Sequence, residues 1–236
     1  MSIYTTETYA CPNCGTIYEY NHFASINADR RPDLREEIIS GTLELITCEP
    51  CELDIRPEPS FNYLDYANGL WIMALPLPDI ARWDQEEKRA EELFSRAYGA
   101  QAPASAPKIG NQLSPRITFG WPALREKLVL KEADLDDLLS EKTKIAVLYN
   151  RLGNPVEPGV ELRFFNAMET EFRMGWVDGE SGKILQAFDI QRALYESTSE
   201  GDGWFELDSK IGAGMFVDMQ RMFIDPESKL DVEELE

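Results

Sequence analysis

Histidine and cysteine are the scarcest chemistry-bearing residues of this 236-residue chain, with one of the first and four of the second. A nucleophilic triad requires a base, and His22 has no serine or cysteine placed to suggest one. Basic residues are also in short supply: 23 Lys and Arg face 43 Asp and Glu, a net charge of -20. Nucleic-acid binding draws its affinity from Lys and Arg, so a phosphate backbone would be repelled. An anionic membrane surface is disfavoured for the same reason, and Arg30-Arg31 is followed at once by Asp33, Glu36 and Glu37. Long hydrophobic runs are missing too. The most apolar one, Leu70 to Leu75, is far too short to span a bilayer. Residues 1–10 lack the basic and apolar regions of a signal peptide. The expected compartment is therefore the cytoplasm, where structural disulfides are uncommon. The acidity reads as a solubility device, or as a surface for a protein partner with a basic face.

What is present reads as an α+β protein. Residues 5–10, 16–23, 43–47 and 53–56 are β-rich and surround the cysteines. Between them, residues 32–41 carry a proline in the first turn, acids after it and a closing Gly41, the signals of a short helix. Residues 61–67 and 70–75 flank Asn68-Gly69, a strong hairpin signal. From Ile80 to Tyr98 the apolar positions take a helical period. The stretch "GAQAPASAPKIGNQLSP" has no period and reads as a linker or long loop. This divides the chain into residues 1–99, a linker at 100–115, and a smaller α+β region at 116–236. In that region Trp121–Leu130 and Leu135–Leu152 look helical, and "VELRFF", "EFRMGWV" and "KILQAFDI" look like strands. The stretch "MFVDMQRMFI" fits either period, and the acidic tail "PESKLDVEELE" is expected to be loosely docked.

All four cysteines fall in two matched pairs, Cys11-Pro12-Asn13-Cys14 and Cys48-Glu49-Pro50-Cys51, separated by 33 residues. A two-residue gap in a tight turn points both sulfurs the same way and lets backbone N–H groups donate to them. Two such knuckles can present four thiolates to one tetrahedral Zn²⁺. Gly15 suits the first turn, where a positive φ is often needed. A redox centre would place one pair at a helix N-terminus in a βαβ unit, and here both pairs sit among strands. Four thiolates close the coordination sphere, so a zinc held there would be structural. With the set complete, His22 is not needed as a ligand, and Glu49 and Glu52 are expected to face water.

The stretches "CPNCG", "FASINADRRPDLREEIISGTLELITCEPC" and "NYLDYANGLWIMALP" resemble the CpXC domain family of bacteria and archaea. The later "FGWPALREKLVLKEADLDDLLSEKTKIAVLYN" is similar to the helical region of longer members, so the likeness covers residues 8–78 and 119–150. It implies zinc binding by a zinc-ribbon-like, antiparallel β N-terminal domain, and little about biochemical role. Family members usually repeat Cys-Pro-x-Cys-Gly at the second knuckle. Here the proline is displaced to Pro50, and Glu52 stands where the glycine would be.

Elsewhere the residues read as scaffolding. Asp134 is expected to cap a helix, with Asp136 and Asp137 favouring its positive end. Gly212-Ala213-Gly214 lacks the lysine of a phosphate loop. Asp178 to Gly182 lacks a calcium-loop pattern and reads as a hairpin turn. Trp71, Trp121, Trp176 and Trp204 are expected in the core. The reading that follows is a non-enzymatic accessory protein with structural zinc on Cys11, Cys14, Cys48 and Cys51, acting through protein–protein contact. The alternative is an enzyme with a carboxylate or labile-metal site in a cleft between the two regions.

Overall fold

A computed structural model describes residues 2–103, 105–150, 159–199 and 204–226 of the chain. The α+β class holds. A five-stranded sheet runs in the order β1-β2-β5-β6-β7, formed by Ile3–Ala10, Ile17–Asn27, Phe61–Asp65, Leu70–Leu75 and Ser114–Phe119. A three-stranded antiparallel sheet has β9 (Glu171–Asp178) between β8 (Val160–Ala167) and β10 (Ile184–Gln191). A small hairpin of β3 (Ile46–Cys48) and β4 (Leu53–Ile55) carries the second knuckle.

The large sheet is mixed where an antiparallel one was expected, because β2 pairs with β5 and β6 pairs with β7 in parallel. Each parallel pair requires a crossover long enough to return the chain to the same end. The first crossover contains α1 (Pro32–Ser40) and the β3–β4 hairpin. The second contains α2 (Trp83–Tyr98) and then α3 (Ala106–Gly110), a short helix inside the stretch read as a linker. Residues 114–119 thus return to the edge of the first sheet as β7. A parallel partner of this kind is set by non-local pairing and leaves no local periodicity to read.

The uninterrupted apolar run of β6 follows from cover on both faces. Leu70, Ile72 and Ala74 pack with Leu34, Ile38, Leu124 and Leu128, while Trp71, Met73 and Leu75 pack with Trp83 and Ala90. The turn before β6 needs a left-handed residue, and Gly69 supplies φ +66° there; an added Cβ would lie 2.8 Å from the Gln112 carbonyl oxygen. The expected strand at 43–47 is shortened because Glu44 takes φ 57° and turns its carboxylate to accept from Phe23 N–H at 2.8 Å.

α4 (Gly120–Glu132) connects the layers. Its Trp121, Leu124 and Leu128 belong to the first core; its Val129 and Leu130 belong to a second core with Leu162, Phe164, Phe172, Met174 and Trp176. Trp71, Trp121 and Trp176 are buried as expected, and Trp204 packs partly buried against the second core. α5 (Asp137–Asn150) begins after Asp136, whose carboxylate accepts from Leu139 N–H at 2.8 Å. The cap is therefore Asp136, not Asp134, which is turned into the left-handed region at φ 53° as the chain leaves α4. The ambiguous stretch near the end contains a 3-10 helix, Met219–Met222, capped by Asp218. The tail beyond residue 226 lies outside the described residues. Among those residues no helix is long and apolar enough to cross a membrane.

Candidate metal centre

The first knuckle closes the β1–β2 hairpin. Antiparallel pairing from Tyr4↔Phe23 to Ala10↔Ile17 brings the chain to Cys11, whose N–H donates to the Thr16 carbonyl and whose carbonyl accepts from Gly15 N–H, both at 2.8 Å. Gly15 has φ +75°, the conformation for which its lack of Cβ suits it. The second knuckle closes the β3–β4 hairpin, and there Glu52 holds φ 53°. Both turns place the residue after their second cysteine at positive φ, with a glycine in one and a glutamate in the other. A side chain in that region costs about 1–2 kcal/mol relative to glycine, so Glu52 adds strain at a position where the first turn has none. Glu52 and Glu49 both face solvent.

The crossover lays one hairpin beside the other. Sulfur separations are 3.5 Å for Cys11–Cys51, 3.5 Å for Cys14–Cys48 and 3.2 Å for Cys48–Cys51, and all four Sγ atoms lie within 4.8 Å of one another. A disulfide would need about 2.05 Å. Four sulfurs around a zinc at about 2.3 Å stand about 3.8 Å apart, close to what is seen. Cys11 and Cys48 are buried, Cys51 is half-buried and Cys14 is exposed, with Ile55, Tyr9, Tyr18 and Ile46 packed around them.

Supporting groups bias the sulfurs toward thiolate at one end of the cluster. The Thr16 hydroxyl, 3.2 Å from Cys14 Sγ, leads the contacts that bring that thiol down to about 6. Burial pushes Cys11 up, but the backbone N–H groups of Cys14 and Asn13 outweigh it and its pKa falls. Cys51 is pushed up to about 12 by the neighbouring sulfurs of Cys48 and Cys14. Tyr18 ties the knuckles together: its hydroxyl accepts from Glu49 N–H at 3.0 Å, and its bonding to the Cys48 sulfur holds its own pKa up at about 12. Four sulfurs this close cannot all ionise together without a cation among them, and the cluster could hold a metal ion.

The family described as CpXC protein matches residues 9–144, more than half of the chain. This chain belongs to the CpXC family. The matched stretch holds both knuckles, the last two residues of β1, the other four strands of the large sheet, and α1 to α4. No curated protein and no solved structure matches the chain.

His22 stands apart from the sulfurs. It lies in β2 with Nδ1 3.6 Å from the Glu44 carboxylate. A second cluster was not legible in the sequence. Glu126, Glu141 and Asp218 bring carboxylate oxygens within 4.8 Å of one another, all buried. Cations of the chain itself already sit among them. Lys144 Nζ lies 2.7 Å from both Glu126 and Glu141, and Arg163 lies 2.9 Å from Glu126, 2.8 Å from Glu161 and 2.6 Å from Asp218. Lys127 and Arg116 extend the network through Asp137, at 3.0 and 2.7 Å. Those ammonium and guanidinium groups take the place a metal would need, so the cluster reads as an ion network inside the fold.

The network joins five carboxylates (Glu126, Asp137, Glu141, Glu161 and Asp218) to four cations (Arg116, Lys127, Lys144 and Arg163). One carboxylate is in surplus. Burial and the neighbouring Asp218 and Glu126 push Glu141 up to about 7 despite Lys144 beside it, whereas Arg163 and Lys144 outweigh burial and hold Asp218 at about 2. Glu141 is the group that keeps a proton. Its folded pKa exceeds the unfolded value, so the native state binds more protons between about 4.5 and 7, and stability falls as pH rises through that window. Glu141→Gln is expected to flatten the fall, by up to about 1.4 kcal/mol per pH unit. Urea unfolding of both proteins from pH 5 to 8 measures it; equal slopes would exclude Glu141 as the proton carrier.

Proposed function

We propose that Cys11, Cys14, Cys48 and Cys51 hold one structural Zn²⁺ and that the protein is a non-enzymatic accessory factor acting through protein–protein contact. The observation that carries the metal reading is the convergence of four sulfurs from two sequence-distant turns at non-bonded, near-tetrahedral spacing. Zinc there neutralises the thiolates and locks the β1–β2 and β3–β4 hairpins together; with four sulfur ligands it offers no open position to substrate. Support for contact with a partner comes from the hairpin that bears the site. β1 is an edge strand exposed along nearly all its length, and Ile3, Tyr4 and Ile17 stand more than half exposed beside acidic residues such as Glu7 and Glu19.

Metal analysis of protein purified without added metal is expected to return one zinc per chain. Zinc-free protein with accessible, reactive thiols would point to redox chemistry instead. Capture from native lysate is expected to give a stoichiometric partner that is lost on Ile17→Asp and Tyr4→Asp. Turnover of a substrate by protein free of any partner would defeat the accessory reading.

A further inference from the structure

A groove of about 1090 Å³ separates the α1–α4 layer from one face of the three-stranded sheet. Its charge runs against that of the chain, since Arg56, Arg125, Arg163 and Arg173 all line it. Two of these are engaged elsewhere: Arg163 belongs to the buried network, and Arg173 lies 3.3 Å from Asp189. Arg56 and Arg125 have no carboxylate within ion-pair distance among the described residues. Each is fastened through Nε alone, Arg56 to the Leu43 carbonyl and Arg125 to the Ile39 carbonyl, both at 2.7 Å. These carbonyls lie at and just beyond the end of α1, so capping explains one nitrogen of each side chain and leaves the Nη edges without a role.

Each guanidinium faces an aromatic ring of the groove, Arg56 the Trp121 indole and Arg125 the Phe165 ring. Arg56 Cζ lies 3.5 Å from the Trp121 ring centroid and Arg125 Cζ lies 5.9 Å from that of Phe165. Arg56 Nη2 is buried with no hydrogen-bond partner among the described residues. The nearest acids, Glu44 and Glu58, accept from the Phe23 and Leu77 N–H groups. Burial draws both arginines down, Arg56 to about 10, yet each stays charged at neutral pH. A buried cation with unused donors is costly in isolation and is satisfied by an anion.

Beyond the arginines the groove is apolar. Phe165 lies against Gly175, where a Cβ would come within 2.7 Å of the ring, and Val177 and Ala187 continue that floor. Leu45 and Ile184 form a rim, 40% and 54% exposed. The acids present are occupied or peripheral: Asp54 accepts from Thr47, Glu132 pairs with Arg35, and Glu180 sits in the 178–182 turn.

We propose that this groove binds a small amphipathic anion, with a carboxylate or phosphate head between Arg56 and Arg125 and an aliphatic or aromatic body on Phe165, Val177 and Ile184. The volume is that of a site for one drug-sized molecule. A chain of net charge -20 repels an acidic macromolecule at long range, while a single head group enters at little cost.

The test is fluorescence titration of the full chain with anilinonaphthalenesulfonate, an aromatic anion, followed by competition. One saturable site per chain is expected, displaced by laurate and by dodecyl phosphate and not by dodecanol. The better competitor of the two identifies the head group. Arg56→Gln and Arg125→Gln are each expected to weaken binding about tenfold, the loss of one charge-assisted contact, and Arg125→Lys to weaken it less. Ile184→Glu, on the exposed rim, is expected to weaken binding without touching the core, which keeps the test valid if an arginine variant does not fold. Non-saturable binding, equal displacement by dodecanol, unchanged affinity in well-folded arginine variants, or displacement only by oligoglutamate would overturn the proposal.

Discussion

Cys48→Ser is expected to leave the purified protein with less than about a tenth of an equivalent of zinc, and with an N-terminal hairpin that no longer melts together with the rest. Cys48 is the most demanding of the four positions. Its side chain is fully buried, it is 3.2 Å from Cys51 and 3.5 Å from Cys14, and it faces the Tyr18 hydroxyl. Serine offers a harder, shorter and far less acidic donor at a position with no room to adjust. The remaining three sulfurs lose the geometry as well as the ligand, because β3 and β4 are three residues each and have little hydrophobic area of their own. Thr16→Val is the graded companion. It keeps all four ligands and removes the hydroxyl that supports Cys14, so metal affinity should fall by about 10- to 100-fold with zinc still bound at stoichiometric concentration. Metal analysis, with hydrogen exchange across residues 3–27 and 46–55, measures both. Cys48→Ser protein that retains a full equivalent of zinc would refute a four-sulfur site.

Lys144→Met is expected to cost about 3–5 kcal/mol of unfolding free energy. The ammonium has no exposed surface and neutralises Glu126 and Glu141 at 2.7 Å each; those two carboxylates raise its pKa against the desolvation that lowers it. Where Glu141 is ionised, above about pH 7, removing the ammonium leaves five carboxylates against three cations in the core, and Glu126 must also keep its bonds to Arg163 and to Phe164 N–H. Adding Glu141→Gln should recover part of the loss, because a neutral side chain at 141 no longer needs the cation. Arg31→Ala, which breaks the exposed pair with Asp33, should change nothing measurable. Urea midpoints of the three variants decide it, and a cost below about 1 kcal/mol for Lys144→Met would remove the network from any account of stability.

The sulfur cluster was legible because its information is local. Ligand type and a two-residue gap determine where each pair of sulfurs points, and the β-rich flanks show that each knuckle closes a hairpin. The Asn68-Gly69 turn and the α2 period were legible for the same reason. The cap at the start of α5 was misplaced by two residues, since Asp134 and Asp136 are chemically alike and only the backbone at the end of α4 distinguishes them. The segment from 100 to 115 was opaque because what it does is set by where it returns: α3 carries no apolar period, and β7 owes its place to β6.

By itself, then, the sequence determined the α+β class, the four cysteines that form one cluster and the knuckle turns that bear them. These depend on residue chemistry over a few positions. Only the tertiary structure decided which charges are surface and which are core. In "WPALREKLVLKE", Glu126 and Lys127 look like the solvated side of a helix, yet α4 is wedged between two cores and both are buried. The fate of a charge depends on what packs against its helix from distant parts of the chain. Here Lys144 and Arg163 arrive from other elements to pair with Glu126, Asp218 arrives to share Arg163, and Arg56 and Arg125 arrive at a groove without such partners.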